Sequence, residues 1–518
     1  MGEELSSLLC GRISREEKRA FVTAFVFTLL VHLYKFTNTL PNHDGMYNVY
    51  TSQNMIGSGR WALKYACGLS SYYDLPWVIG LFCCLYIALT AMIIVRLFRV
   101  KNPVVSFLCG GFLASSPATI ETIFFEFTAD GYFLAMLLAA VAVYLSRVEE
   151  KRISRHLLSG ACICVSCGIY QAYVSFALIL AVCHMIYELL KNQNKPREYF
   201  RWVLRQALIF GGSLAAYYVI WQVVMDRVGM SAYAYQGIDQ VGTLSLDLIR
   251  HGWGNACWSV QYYLFQLPPK DYGWTLYAMF NVLMLGALAL GLILGMVKSQ
   301  MWRRPWAVVL VVLGLLAVIP FAGMWCFTSY SVYYRPLMLQ SLMVLFLFTA
   351  ILYQDWTGPL LKNAAALLLT AIVLHNALLA NICYFYMNLC YERTYADVVE
   401  MVSEIHNVGD DAEYTDMAVL GNRHSETLWG WQDEDGGLGR EGRFYLLTSL
   451  LEKELLVDEH QVAGFLNWYT GMEIPRADSG RVSELSQDIR VQEMPIWPAD
   501  GSIDVVDGTL VIKLSELQ

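Results

Sequence analysis

Arg15-Glu16-Glu17-Lys18-Arg19, then Ala20-Phe21-Val22-Thr23-Ala24-Phe25-Val26-Phe27-Thr28-Leu29-Leu30-Val31-His32-Leu33-Tyr34-Lys35-Phe36-Thr37-Asn38-Thr39-Leu40, then Pro41-Asn42-His43-Asp44-Gly45-Met46-Tyr47 is the stretch that decides the fold. A charged collar, an apolar run from 20 to 40 and a turn-forming exit describe one helix crossing a bilayer, whose hydrocarbon is about 30 Å thick and takes about 20 residues to span. The run is followed by no small-residue cleavage site, so it reads as a retained first span, and no lipidation motif competes with that reading. Asp44 then sits where the helix leaves the membrane, and the string Gly57-Ser58-Gly59-Arg60-Trp61 follows it.

The rest of the chain repeats the pattern. Of its 518 residues, 56% are hydrophobic and 15% charged, with a mean hydropathy of +0.42, a composition that excludes an ordinary soluble domain of this length. Apolar segments predict spans near 20–40, 76–95, 103–118, 131–146, 157–170, 172–190, 204–225, 273–297, 306–324, 335–353 and 361–382, eleven in all. Two are ambiguous. The pair around Gly168-Ile169-Tyr170-Gln171-Ala172-Tyr173 reads as one long helix or a tight hairpin, and the third span is short, ended by Pro117.

Charge orients the bundle. With the N-terminus inside, alternate connections carry 20 Lys and Arg on the inner side and six on the outer: Arg60, Lys64, Arg227, Arg250, Lys270 and Arg335. This expectation places the N-terminus in the cytoplasm. Asp44, the segment Ser116 to Tyr132, the loop 226–272 and the C-terminal tail then lie on the extracytoplasmic side. The tail changes character near residue 391. Residues 1–390 hold 27 Lys and Arg against 18 Asp and Glu, whereas 391–518 hold 9 against 26. The expected organisation is a multi-span membrane domain, 1–390, and an acidic extracytoplasmic α/β domain, 391–518.

Within the tail, Tyr395, Val398, Val399, Val402 and Ile405 recur at helical spacing, and Met417-Ala418-Val419-Leu420 reads as a buried strand. Ile503-Asp504-Val505-Val506 and Thr509-Leu510-Val511-Ile512 flank Asp507-Gly508, a strong hairpin signal. No cysteine lies beyond Cys390, so this domain has no internal disulfide. Cys162, Cys164 and Cys167 do not share one helical face, and their spacing favours apolar packing over a metal site.

Several polar residues fall on the outer side of this scheme. Asp44 before Gly45 is either a reactive carboxylate or an ordinary turn pair. Glu121, Glu126 and Asp130 occupy what reads as a short acidic connection without a base, where solvated helix caps are the plain alternative. Arg60 and Trp61 also suit an interfacial anchor, and Lys35 one that reaches for headgroups. Arg335 is the only cation of its loop, and an anchor is its plain reading too. Tyr233, Tyr235, Trp253, Trp258, Tyr262, Tyr263 and Tyr272 offer faces to sugar C–H groups, although an interfacial aromatic belt predicts the same content.

His43-Asp44-Gly45, Gly59-Arg60-Trp61, Pro117 to Tyr132 with its acids, Tyr170-Gln171-Ala172-Tyr173 and Met494-Pro495-Ile496-Trp497-Pro498 before the hairpin resemble, in order and placement, the membrane glucosyltransferases of the Gtr type II family. The resemblance covers nearly the whole chain, through motifs that are short individually. It implies a GT-C-like, mostly α, polytopic fold and a glycosyltransferase of the bacterial cytoplasmic membrane. Such an enzyme moves glucose or a related hexose from a polyprenyl-phosphate donor to a cell-surface polysaccharide, as in O-antigen modification. An acceptor hydroxyl attacking the anomeric carbon needs a proton acceptor, and the departing phosphate needs cations. The resemblance implies Asp44 as general base, with Glu121 and Asp130 as further catalytic-site carboxylates, any of Glu121, Glu126 or Asp130 positioning the acceptor or sugar hydroxyls. It gives His43, Arg60, Trp61, Glu126, Tyr170, Gln171 and Arg335 to substrate binding, the arginines facing phosphate.

No Gly-x-Gly-x-x-Gly or Walker pattern stands in an appropriate strand-to-helix setting, so a soluble nucleotide donor is not expected. The expected enzyme uses no cofactor and no obligatory metal, its lipid-linked donor being a substrate, and it binds no nucleic acid. A transporter or flippase of lipid-linked sugars is the alternative, although no internal repeat is visible. A scaffold that binds through the acidic tail is a third reading.

Overall fold

The computed structural model describes residues 13–42, 44–48, 51–68, 73–191, 196–232, 246–265, 275–323, 335–354, 356, 358–411, 413–422 and 459–517. The α-helices of five residues or more, in chain order, are α1 (Arg15–Thr37), α2 (Pro76–Leu97), α3 (Pro103–Ser115), α4 (Pro117–Phe124), α5 (Glu126–Leu145), α6 (Ile153–Ile169), α7 (Tyr173–Lys191), α8 (Pro196–Val228), α9 (Leu246–Phe265), α10 (Leu276–Lys298), α11 (Pro305–Ala322), α12 (Gln340–Tyr353), α13 (Pro359–Asp411), α14 (Glu459–Phe465), α15 (Ser479–Gln487) and α16 (Ile489–Glu493). Among the described residues ten stretches are long and apolar enough to cross a membrane, α3 with α4 and the turn Pro336–Leu339 with α12 each counting once. The 17-residue apolar helix α6 occupies the place of the expected fifth span. The protein is a polytopic helical membrane protein with a small C-terminal sheet.

Local sequence sets the helix ends. Ser14 and Glu17 form a reciprocal capping box that starts α1 inside the charged collar. α2, α3, α4, α8, α11 and α13 all open on proline, which lacks the amide hydrogen that a first turn leaves unbonded anyway. This explains the main departure from the sequence reading. Pro117 does not end the third span in a loop. Ser116 caps a new helix through its hydroxyl, 3.2 Å from the Thr119 amide, and only Phe125 separates α4 from α5. The expected short acidic connection is therefore helical and buried. Tyr170-Gln171-Ala172 forms a tight turn between two helices, α6 and α7, and the expected loop 226–272 contains α9.

α1 packs against α2 and α3, α2 against α5, and α5 against α6 and α7, while α12 packs against α3, α7 and α10. Cross-links tie opposite ends separately. At one end Arg96 pairs with Glu17 at 2.7 Å, and Arg99 reaches Glu149 at 2.5 Å and Glu188 at 3.1 Å. The other end holds the candidate site.

α13 runs 53 residues, unbroken through residue 390 and into the tail. Its buried row there is Val398, Met401 and Ile405, whereas Tyr395 and Val399 of the expected stripe are exposed. The tail sheet has the order β1-β3-β2, with β1 (Asp416–Leu420) parallel to β3 (Thr509–Lys513) and β2 (Ile503–Val506) antiparallel to it. Asp507 and Gly508 both have positive φ, 48° and 81°, as a two-residue hairpin turn of the right twist requires. The Trp497 indole donates to Asp397 Oδ1 at 3.0 Å, joining the segment before the hairpin to α13. α14 packs against the turn Asp44–Tyr47 of the membrane region.

Candidate active site

The first element of the site is a buried charge cluster. Lys35 lies in the last turns of α1 with its side chain fully buried, and does not reach for headgroups. Its ammonium donates to Glu126 Oε2 and, at 2.9 Å, to the carbonyl of Leu40. The second contact bends the chain back over the helix end four residues before Asp44. Glu126, at the start of α5, keeps its other oxygen, Oε1, buried with no hydrogen-bond partner among the described residues. Asp74, two residues before α2, likewise has a buried Oδ1 without one. Burial pushes the Asp74 carboxyl up to about 6; nearby Lys35 opposes that shift and Asp130 adds to it.

Asp130 is not a solvated cap. It is the fifth residue of α5 and buried; its Oδ1 accepts from the Gly131 amide at 2.8 Å, and it receives a hydrogen bond from the Cys67 thiol. Burial and the adjacent Asp130 charge drive that thiol's pKa well up, so Cys67 is a neutral donor.

A wedged loop forms the second element. Gly59 has φ +80° and sits so close to α8 that a Cβ would lie 2.3 Å from Tyr217 Oη and 2.5 Å from Gln171 Nε2. Only glycine fits such a position. Gln171 Nε2 donates to the Ser58 carbonyl at 2.8 Å and lies 3.0 Å from Tyr217 Oη, and Trp221 Nε1 donates to Ile56 at 2.8 Å. Gln171 thus holds the loop. Trp61 packs flat on Gly168, where a Cβ would meet the ring at 2.5 Å, and its indole N–H is buried without a partner among the described residues. With the loop fixed on both sides, Arg60 is aimed. Its Nη1 donates to Tyr132 Oη at 3.0 Å, and its guanidinium lies 4.6 Å from the Tyr170 ring, which stacks on Tyr132 at 4.3 Å.

Arg335 is the third element. Its Nε donates to Glu121 Oε1 at 3.1 Å, Glu121 Oε2 accepts from the Leu337 amide at 2.5 Å, and the guanidinium lies 4.9 Å from the Phe125 ring. Glu121 is fully buried and Arg335 about a quarter exposed, so Glu121 works as the arginine's clamp. Both guanidiniums are held by protein side chains.

Asp44 opens a 3-10 turn whose Gly45 backbone amide donates to Asn42 Oδ1 at 2.8 Å, while Asn48 Nδ2 donates to the Asp44 carbonyl at 2.7 Å. It is half-buried, under α14 of the tail. The structure therefore brings Glu121, Glu126, Asp130, Arg60, Trp61, Tyr170, Gln171 and Arg335 to one end of the bundle. The turn bearing Asp44 is tethered there through Leu40. His43, Tyr233, Tyr235 and Tyr272 lie outside the described residues.

Lys35 reads from sequence only as an anchor that reaches for headgroups, and Asp74 and Tyr132 are not singled out as site residues. For Lys35 a signal existed, since an ionisable residue inside a span is a functional candidate by default. Asp74 and Tyr132 carry no local signal, because what marks them is a neighbour distant in sequence. Among the described residues no group of three His, Cys, Asp or Glu is arranged to hold a metal ion.

Searches of curated proteins and of solved structures each returned no match. The model of one protein family, described as glucosyl transferase GtrII, matches residues 33–354, a range that contains Lys35, Asp44, the wedged loop, the buried acids and Arg335. Because that match spans well over half of the chain, the protein belongs to the GtrII family and is a membrane glucosyltransferase.

Proposed function

We propose that this glucosyltransferase takes glucose, or a related hexose, from a polyprenyl-phosphate carrier and transfers it to a hydroxyl of a cell-surface polysaccharide. The transfer takes place on the extracytoplasmic side of a bacterial cytoplasmic membrane, the side that the distribution of Lys and Arg assigns to Asp44 and the tail. The observation that carries the reading is the gathering, at one end of a membrane bundle, of buried carboxyls, of which Glu126 and Asp74 each keep an oxygen without a partner among the described residues, and two arginines held over aromatic rings. Carboxylate oxygens accept from sugar hydroxyls, and guanidinium forks suit phosphate.

In the proposed step Asp44 accepts the proton of the acceptor hydroxyl as its oxygen bonds to the anomeric carbon. The bond from that carbon to the phosphate oxygen breaks, and its electron pair leaves with the polyprenyl phosphate in a single inverting displacement. Arg335, positioned by Glu121, and Arg60, positioned by Tyr170 and the loop that Gln171 holds, balance the charge on the leaving phosphate. Glu126 and Asp130 orient sugar hydroxyls, with Asp74 joining them. His43 and Trp61 complete the substrate contacts. The transfer needs no cofactor and no obligatory divalent metal, so it is expected to persist in chelator.

The test uses the purified full chain in lipid nanodiscs with synthetic polyprenyl-phosphate-glucose and polysaccharide extracted from expressing cells. Asp44→Asn, folded as the wild type, is expected to lose about 10²- to 10⁴-fold in transfer rate, the range for a general base. Transfer by the variant at the wild-type rate removes Asp44 from that role. If the wild type only moves the lipid across vesicles, the donor and acceptor proposed here are wrong.

A further inference from the structure

The tail bears a feature that the transfer step does not use. α14, seven residues long and so about 10 Å from end to end, packs on the Asp44 turn and continues directly into a π-helical turn, Leu466–Thr470, closed by Gly471 at φ 74°. Isolated π turns of this kind cluster at functional sites. Phe465, which ends α14, stacks on Tyr469 of this turn at 4.5 Å, and Tyr391 of α13 meets Tyr469 edge-on at 5.8 Å. Tyr395 lies 6.3 Å from Phe465. Phe465 is fully buried, so the group is fixed from behind, yet Trp468 and Tyr395 remain 46% and 45% exposed.

Between Phe465 and Trp468 sits a polar group with an unmet need. Asn467 Oδ1 is buried and has no hydrogen-bond donor among the described residues. A buried acceptor left unpaired costs about 1–3 kcal/mol, so the position suits a ligand that brings a hydroxyl. Large aromatic faces beside an amide acceptor match a pyranose ring, which offers apolar C–H faces and a rim of hydroxyls. An interfacial aromatic belt explains the exposed rings but not the buried amide oxygen.

We propose that Trp468, Asn467 and Tyr395 form a shelf on the tail that binds hexose rings of the acceptor polysaccharide and feeds its hydroxyl to Asp44 along α14. The inference rests on the transfer reading above. It gives the C-terminal region a role as the acceptor-recognition element of the enzyme, separate from the buried acids and arginines that meet the donor.

The experiment uses the full chain in nanodiscs, synthetic polyprenyl-phosphate-glucose, and extracted polysaccharide cut either to single repeat units or to chains of several. Trp468→Leu keeps an apolar group for any lipid contact but removes the ring, and Asn467→Ala removes the acceptor. Each is expected to raise KM for the several-unit acceptor about tenfold while kcat and the donor KM stay within twofold, and Trp468→Phe is expected to recover most of the loss. An unchanged acceptor KM in both variants overturns the shelf, as does a loss that Phe does not reverse. If the wild type transfers no sugar, the transfer reading itself fails. Direct binding of the several-unit polysaccharide to wild type and Trp468→Leu then decides the shelf alone, equal affinity overturning it.

Discussion

Replacing Lys35 by methionine tests the buried cluster most directly. Lys35 is fully buried and donates to Glu126 Oε2 and to the Leu40 carbonyl. Removing the ammonium leaves the Glu126 carboxyl buried without its cationic partner, a loss of about 3–5 kcal/mol for a broken buried pair. The bond to Leu40 adds about 1 kcal/mol. For a chain of this length that total lowers the melting midpoint by something on the order of 5 °C, read by fluorescence of the protein in detergent or nanodiscs. Glu126→Gln alone also destabilises, because it strands the ammonium. The double variant Lys35→Met, Glu126→Gln has no stranded charge, so it should regain all but the Leu40 contribution. The expected coupling between the two sites is at least about 2 kcal/mol. Additive losses in the double variant would refute the pair. Transfer should remain low even when stability returns, because the Leu40 tether to the Asp44 turn is still missing.

Gly59→Ala forces a Cβ to within 2.3 Å of Tyr217 Oη at a backbone φ of +80°, so it should cut transfer at least about tenfold and lower the melting midpoint. Gly211→Ala on α8, where no atom lies within 4 Å of the added carbon, serves as the neutral control in the same two assays. Asp74 ionises near 6 when folded and near 3.8 when not, so the native state binds the extra proton between those values. Its contribution to stability is therefore greatest below pH 4, falls as pH rises to about 6 and is level above. Asp74→Asn should remove that slope from melting midpoints measured between pH 4 and 8, and a difference curve that is flat against pH would contradict the buried carboxyl. Arg335→Lys keeps the charge but loses the fork, so the donor KM should rise about tenfold. Glu121→Gln should reproduce part of that rise, as a positioning residue does, and an unchanged donor KM in both would take Arg335 off the phosphate.

Much of the site lay in stretches that were legible residue by residue. Asp44, Arg60, Glu121, Glu126, Asp130 and Arg335 stood out because charges are rare in a chain this apolar, and a charge at the edge of a span demands a reason. Their partners were not legible. Lys35 and Glu126 are 91 residues apart, Arg335 and Glu121 are 214 apart, and Arg60 finds Tyr132 at a separation of 72. Gln171 was read as a substrate contact from its place in a motif, and the structure shows its amide fastening the Gly59 loop. The acids of α4 and α5 read as loop residues because Pro117 reads as a helix terminator. Its position after Ser116, a capping residue, made it a helix start instead.

Sequence by itself determined the membrane class, the approximate spans, the acidic tail and its Asp507-Gly508 hairpin. These follow from local quantities: the length of an apolar run against bilayer thickness, and the few residues that tolerate a tight turn. Tertiary structure decided which carboxyls are clamps and which keep an oxygen unpartnered, that Lys35 points inward, and that α14 covers the turn of Asp44. Those are matters of packing between segments far apart in the chain, where burial, like any contact energy, depends on both partners and is written in neither alone.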